Sequence, residues 1–150
     1  MIRWSAALLL LASMTLHAAP AAPAATTVQL HGQQFTIELA TTDAARTQGL
    51  MNRTHLAADH GMLFVFAESA PQAFWMKNTL IPLDILYFDD ARRLVSMQLN
   101  VPPCKADPCA VYPSNAAARY VLELAAGTAR RLGLRNGDVL TINGDVGAVR

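Results

Sequence analysis

Short apolar runs, each bounded by turn residues, set the tightest limit on what this sequence can fold into. Met62-Leu63-Phe64-Val65-Phe66, Phe74-Trp75-Met76 and Ile85-Leu86-Tyr87-Phe88 are continuously apolar. Each has the length of a strand buried on both faces and is too short for a buried helix. Around them the period is two. Phe35, Ile37 and Leu39 alternate with Thr36 and Glu38, and with residues 28–30 across His31-Gly32 they spell a hairpin with one buried face. Leu94, Ser96 and Gln98 alternate with Val95, Met97 and Leu99; with the turn signal Asp89-Asp90, residues 85–88 and 94–99 read as a second hairpin. Residues 120–124 and 139–142 are the remaining strands. Two segments break this pattern. Residues 42–49 offer a threonine cap, good helix formers and a closing glycine, enough for two helical turns, and residues 128–132 make one turn or two. Residues 133–138 suit a tight turn, with glycine supplying positive φ and Asp138 bonding nearby amides. Residues 100–118, with four prolines, read as a long loop. The expected fold is mainly β, a compact antiparallel barrel-like or sandwich-like domain with two short helices.

At the N-terminus, Arg3 precedes an apolar run at residues 6–16, followed by Ala18, Ala19 and a Pro/Ala stretch at 20–25. That is the order of a secretory signal. The run is interrupted by Ser13 and Thr15, and it falls short of the roughly 20 apolar residues a bilayer span needs. A periplasmic protein is therefore expected, with an uncleaved anchor as the lesser reading. Cleavage after Ala18 makes residues 1–18 the signal peptide, 19–25 a linker and 26–150 one globular domain; it leaves 132 of the 150 residues, near the usual domain size. Of the 12 Lys and Arg only Arg3 is lost, so 11 basic residues face 11 acidic ones. That balance speaks against a nucleic-acid partner, which asks for a basic excess. Cys104 and Cys109 are separated by four residues in the Pro-rich loop. In an oxidising compartment they read as a local disulfide. A ring this small removes on the order of 2 kcal/mol of unfolded-state entropy and staples a loop, not a core. A redox-active pair or half a metal site fits less well, because the redox dithiol spacing and a second cysteine pair are both missing.

Five ordered blocks carry a resemblance: Gly49-Leu50-Met51-Asn52-Arg53, Gly61-Met62-Leu63-Phe64-Val65-Phe66, Phe74-Trp75-Met76-Lys77-Asn78-Thr79, Pro82-Leu83-Asp84-Ile85 and Val121-Leu122-Glu123-Leu124-Ala125-Ala126-Gly127. Together they are similar to the domain of unknown function 192, over about residues 26–142. The paired cysteines near Tyr112-Pro113 resemble its exported branch. The resemblance implies a small, mostly antiparallel β domain and assigns no activity.

Candidate chemistry concentrates between Phe74 and Asp84. On a strand, Trp75, Lys77 and Thr79 point one way and Phe74, Met76 and Asn78 the other. Lys77 is then an electrostatic anchor for an anionic or hydroxyl-rich ligand, Asn78 and Thr79 are hydrogen-bonding groups, and Trp75 is a stacking wall. The competing account keeps all of them structural: Trp75 in the core, Asn78 and Thr79 in a turn, Lys77 paired with Asp84, since an isolated buried charge is too costly. Glu123 interrupts a strand on the same face as Val121, points inward and wants a cation from Arg46, Arg53 or Lys77. Asp84 and Glu123 are also the candidate general bases. No nucleophile elbow or metalloprotease helix accompanies them, and Ser69 and Ser114 lack an evident His partner. A soft-metal set of His55, His60, Met51, Met62 and Met76 has irregular spacing; the methionines read as core packing and the histidines as solvated, so neither a metal nor a cofactor is expected. The expected function is an accessory or binding domain for a small polar ligand or an envelope partner, at a pocket built from Trp75, Lys77, Asn78, Thr79, Asp84, Glu123 and Arg46. Its rivals are a cell-envelope hydrolase using Asp84 or Glu123 as base and a structural or interaction protein without a small-molecule site. No membrane span is expected after cleavage, and the oligomeric state is left open.

Overall fold

The computed structural model describes residues 25–150; residues 1–18, read as a signal peptide, and 19–24 of the expected linker lie outside the described residues. In chain order the elements are β1 (Thr27–Leu30), β2 (Gln33–Ala40), α1 (Asp43–Gln48), β3 (His60–Trp75), β4 (Leu83–Phe88), β5 (Leu94–Val101), β6 (Val111–Ala125), α2 (Thr128–Leu132) and β7 (Thr141–Asn143). The strands form one curled sheet in the order β5-β4-β6-β3-β2-β1-β7. The segment before β7 is laced to the start of β5: Arg93 bridges Val139, and the Leu94 amide donates to the Asp138 carbonyl at 2.8 Å. The two edges of the sheet thus meet, which gives the barrel-like shape.

Local chemistry explains most of the elements. At the β1–β2 turn His31 and Gly32 both have positive φ, 46° and 78°, the two-residue turn whose twist matches paired strands. The Thr42 hydroxyl accepts from the Ala45 amide at 3.2 Å and caps α1, and Gly49 ends it with φ 46°. In three places the sequence reading is corrected. Residues 62–66 and 74–75 belong to a single strand, β3, with Met76 just past its end; its pairing with β6 shifts register between Val65 and Ala70 and again between Pro71 and Ala73. Residues 111–118, read as loop, form the first half of β6. These outer halves make a two-stranded ribbon with both faces largely open to solvent, so no buried face imposes an alternating pattern. The last strand begins at Thr141, because Val139 and Leu140 pair with the β4–β5 turn instead. The sheet is also not wholly antiparallel. β2 and β3 run parallel, from Thr36 opposite His60 to Ala40 opposite Phe64; the crossover through α1 and residues 49–59 returns the chain to the same end of the sheet.

Apolar side chains divide between the two faces. Every strand from β1 to β6 contributes to the core enclosed by the curl, including Val28, Phe35, Leu63, Leu86, Leu94 and Leu122, with Ala129 of α2. The opposite face of the central strands carries Met62, Phe64, Ile85, Tyr87 and Val121, covered by Ala45 of α1 and by Leu50. It is this second face that holds the candidate site.

Candidate functional site: a buried carboxyl under an exposed tryptophan

Glu123 lies in the middle of β6, between Met62 of β3 and Ile85 of β4. β3 comes unusually near it, because position 61 has no side chain: a Cβ on Gly61 would stand 2.6 Å from the Glu123 carbonyl oxygen. The Glu123 side chain therefore emerges among Met62, Ile85 and Tyr87, with the residue only 4% exposed. Loss of water pushes its pKa up to about 8, so the carboxyl is mostly protonated at neutral pH. Among the described residues nothing donates to it or pairs with it. Its neighbour Tyr87 is engaged elsewhere, donating to the Tyr112 carbonyl at 2.7 Å. Burial, and after it the charge of Glu123, raises the pKa of the Tyr87 phenol.

The Glu123 carboxyl opens onto a narrow cavity of about 40 Å³. One wall is the end of α1 with the turn that follows, residues 46–51; the other is Trp75, Lys77 and Thr79 as the chain leaves β3. Phe64 and Phe74 fill the side, edge to face at 4.9 Å. A backbone bond ties the two walls together, the Asn52 amide donating to the Asn78 carbonyl at 2.7 Å. That carbonyl is aimed by a left-handed residue, Asn78 at φ 55°, in the turn closed by the Thr79 amide and the Met76 carbonyl. Outside the narrow part a groove of about 310 Å³ shares Arg46, Thr47, Phe74 and Trp75 and adds Asp43, Phe66 and Gln72. Trp75 stands at the junction, 50% exposed.

Both cations of the cavity already have partners. Arg46 donates to the Val65 carbonyl at 2.8 Å and to Asp43 at 2.7 Å, and lies over the Phe66 ring. Lys77 is 3.0 Å from Asp107 in the cystine loop, with its amine 5.8 Å from the centre of the Trp75 ring. The cystine, Cys104–Cys109, is formed. Cys104, Asp107 and Cys109 are near enough together to suggest an ion site, but both sulfurs belong to that bond.

Of the expected site residues, Trp75, Lys77, Thr79, Glu123 and Arg46 come together around one cavity. Asn78 shapes the turn with its backbone, and its side chain reaches Met51. Asp84 is the exception. It neighbours Leu124 rather than Glu123 in the ladder and so points to the opposite face of the sheet. There it is fully buried, accepting from the amides of Asn100 at 2.8 Å and Ala129 at 2.9 Å. Both oxygens hold backbone in place, so Asp84 neither pairs with Lys77 nor is free to act as a base. Two other expectations also fail: Trp75 is not in the core, and none of Arg46, Arg53 or Lys77 neutralises Glu123, Arg53 pairing with Glu38. Met62 and Met76 pack in the core, while His55 is exposed and His60 pairs with Asp59. The sequence reading missed the wall at Thr47, Gln48, Gly49, Leu50 and Met51. A signal for it was present, since Gly49-Leu50-Met51-Asn52-Arg53 is one of the blocks that carry the family resemblance.

Comparison with known proteins decides the family. DUF192, described as Uncharacterized ACR, matches residues 26–142. The chain belongs to this family. Two crystal structures share its fold. A candidate transcription regulator from Sinorhizobium meliloti 1021 is 39% identical at a TM-score of 0.71, over 83% of this chain and 98% of that one. A protein of unknown function from Novosphingobium aromaticivorans DSM 12444 is 35% identical at a TM-score of 0.71, over 81% of this chain and 94% of that one. No curated protein matches the chain. Among the described residues no helix is long and apolar enough to cross a membrane.

Proposed function

We propose that this DUF192 chain is a periplasmic binding module whose ligand places a small polar head in the Glu123 cavity and a flat body against Trp75. One observation carries the reading: a buried carboxyl with no protein partner among the described residues faces a cavity beneath a half-exposed tryptophan. Buried polar groups in folded proteins are hydrogen-bonded almost without exception, and a cavity of about 40 Å³ has room for a water or a head group of a few atoms. A whole ligand, which takes roughly 300–1,000 Å³, must extend beyond it. The adjoining groove of about 310 Å³ supplies that space. Export is supported by the order of the N-terminal residues and by the cystine, a bond kept in oxidising compartments. The balanced charge favours a neutral or small ligand over nucleic acid.

The test is a thermal-shift screen against envelope sugars, amines, nucleotides, anions and divalent ions, run in parallel on a Glu123→Gln variant. A ligand at about 100 times its Kd stabilises the native state by roughly 2.7 kcal/mol. A stabilising compound whose effect shrinks in the variant supports the module; if nothing shifts the wild type, the reading falls.

A hydrolase with Glu123 as its proton-transfer group is the second reading, favoured by a carboxyl that titrates near neutrality. It lacks a partner. Glycoside hydrolysis uses two carboxyl groups, and among the described residues Glu123 is the one acid lining the cavity.

A further inference from the structure

The balance of charge around the Glu123 cavity narrows the head group. Arg46 and Lys77 each face an acid of their own, Asp43 and Asp107. Once Glu123 ionises, it is therefore the uncompensated charge among the residues lining the cavity, and an anionic guest would meet it directly. The other lining groups suit a donor. Thr79, 6% exposed, and Gln48 offer oxygen acceptors, and Phe64, Phe74 and Trp75 offer ring surfaces that attract cations. A sealed carboxyl would be fatal to any guest, but the polar atoms here open on the cavity: among the described residues no sealed side-chain nitrogen or oxygen lacks a partner.

We infer that the guest is a primary ammonium on a slim apolar stem, seated between Glu123 and Thr79 with its stem passing Trp75. This rests on the binding-module reading above and adds the ligand class. Binding then carries a proton balance. The free protein holds a proton on the Glu123 carboxyl; when R–NH₃⁺ enters, the carboxyl gives that proton to solvent and the carboxylate pairs with the ammonium, with no covalent bond made or broken between protein and guest. The amine belongs either to a free small molecule or to a lysine side chain of a partner, two sources with the same chemistry at the cavity.

The experiment titrates the protein with n-butylamine, n-butanol and butyrate, in buffers of different ionisation enthalpy, and repeats it with a blocked lysine whose sole amine is its side chain. Butylamine should bind at least about tenfold more tightly than the other two, since the charged hydrogen bond is the stronger one. At about pH 7 it should release close to one proton, and above the Glu123 pKa almost none. Glu123→Gln should abolish the proton release and the preference for amine while still binding butanol. If that variant folds poorly, Thr79→Val serves: it should weaken amine binding severalfold and leave proton release intact. Tighter binding of blocked lysine than of butylamine identifies a partner's side chain, and the reverse a free amine; either supports the assignment. Butanol bound as tightly as butylamine, or amine bound without proton release, overturns the ammonium and leaves the pocket reading standing. No binding of any probe overturns both.

Discussion

Glu123 is neutral for a reason that resides in its neighbours: β6 carries it between Met62 and Ile85, and among the described residues no cation pairs with it there. Its pKa rises from 4.5 to about 8, so between those values the folded chain holds a proton that the unfolded chain has released. Stability is then greatest below the unfolded value, falls as the pH climbs through the window, and levels off above about pH 8. Every tenfold change in proton affinity corresponds to about 1.4 kcal/mol, which makes the whole effect on the order of a few kcal/mol. Glu123→Gln keeps the shape and removes the titration. Urea melts of both proteins from about pH 5 to 9 should show the variant declining less than the wild type, His31 beside Asp138 titrating in both, with the variant the more stable at the alkaline end. Parallel profiles would mean that Glu123 is hydrated or paired. In the sequence, only the fact that a carboxylate interrupts an apolar strand was visible at this position. That the expected cation partner is missing depends on where α1 and the cystine loop put Arg46 and Lys77, and no local pattern encodes that.

At the scale of elements, Asp84 shows how one strand can finish another element's hydrogen bonding. Helix α2 starts at Gly127, which has no side chain to cap it. Its second amide, Ala129, is capped from β4 by Asp84, whose other oxygen holds Asn100 at the end of β5. A carboxylate in that role is worth more than an ordinary exposed cap because both it and the Ala129 amide are desolvated. Asp84→Ala strands the buried Ala129 amide and the part-buried Asn100 amide and should cost about 2–4 kcal/mol, read as a lowered denaturation midpoint. It should leave ligand affinity unchanged in whatever fraction remains folded, because Asp84 is on the other side of the sheet from the cavity. A change in affinity with stability untouched would reverse that assignment. From the sequence, Asp84 looks like a partner for Lys77 seven positions earlier. A strand face decides otherwise, since the side-chain period of two separates Asp84 from its neighbour Ile85, which shares the Glu123 face.

For the molecule as a whole, the pairings that matter are distant in sequence. β6 joins β3 and β4, β1 meets β7, and the parallel β2–β3 pair spans a long crossover. Loops of that length must close before their contacts form, so refolding should occupy the millisecond-to-second range by stopped-flow fluorescence of Trp75. Microsecond relaxation would show that local hairpins, not the central β3–β6 pairing, control the folding of this chain. The sequence alone determined the β class, both hairpins, the two short helices with the Thr42 and Gly49 caps of α1, and the cystine, because each follows from period, turn chemistry or covalent spacing within a few residues. It also marked Trp75, Lys77, Thr79, Arg46 and Glu123 as the polar groups needing an explanation. Only the tertiary structure decided that β2 and β3 run parallel, that residues 70–75 and 111–118 pair as an open ribbon, and that Asp84 and Glu123 point to opposite faces. The physical reason is the same in each case: strand order and register are fixed by burial shared among segments far apart in the chain, and burial is also what leaves one carboxyl protonated beneath a tryptophan.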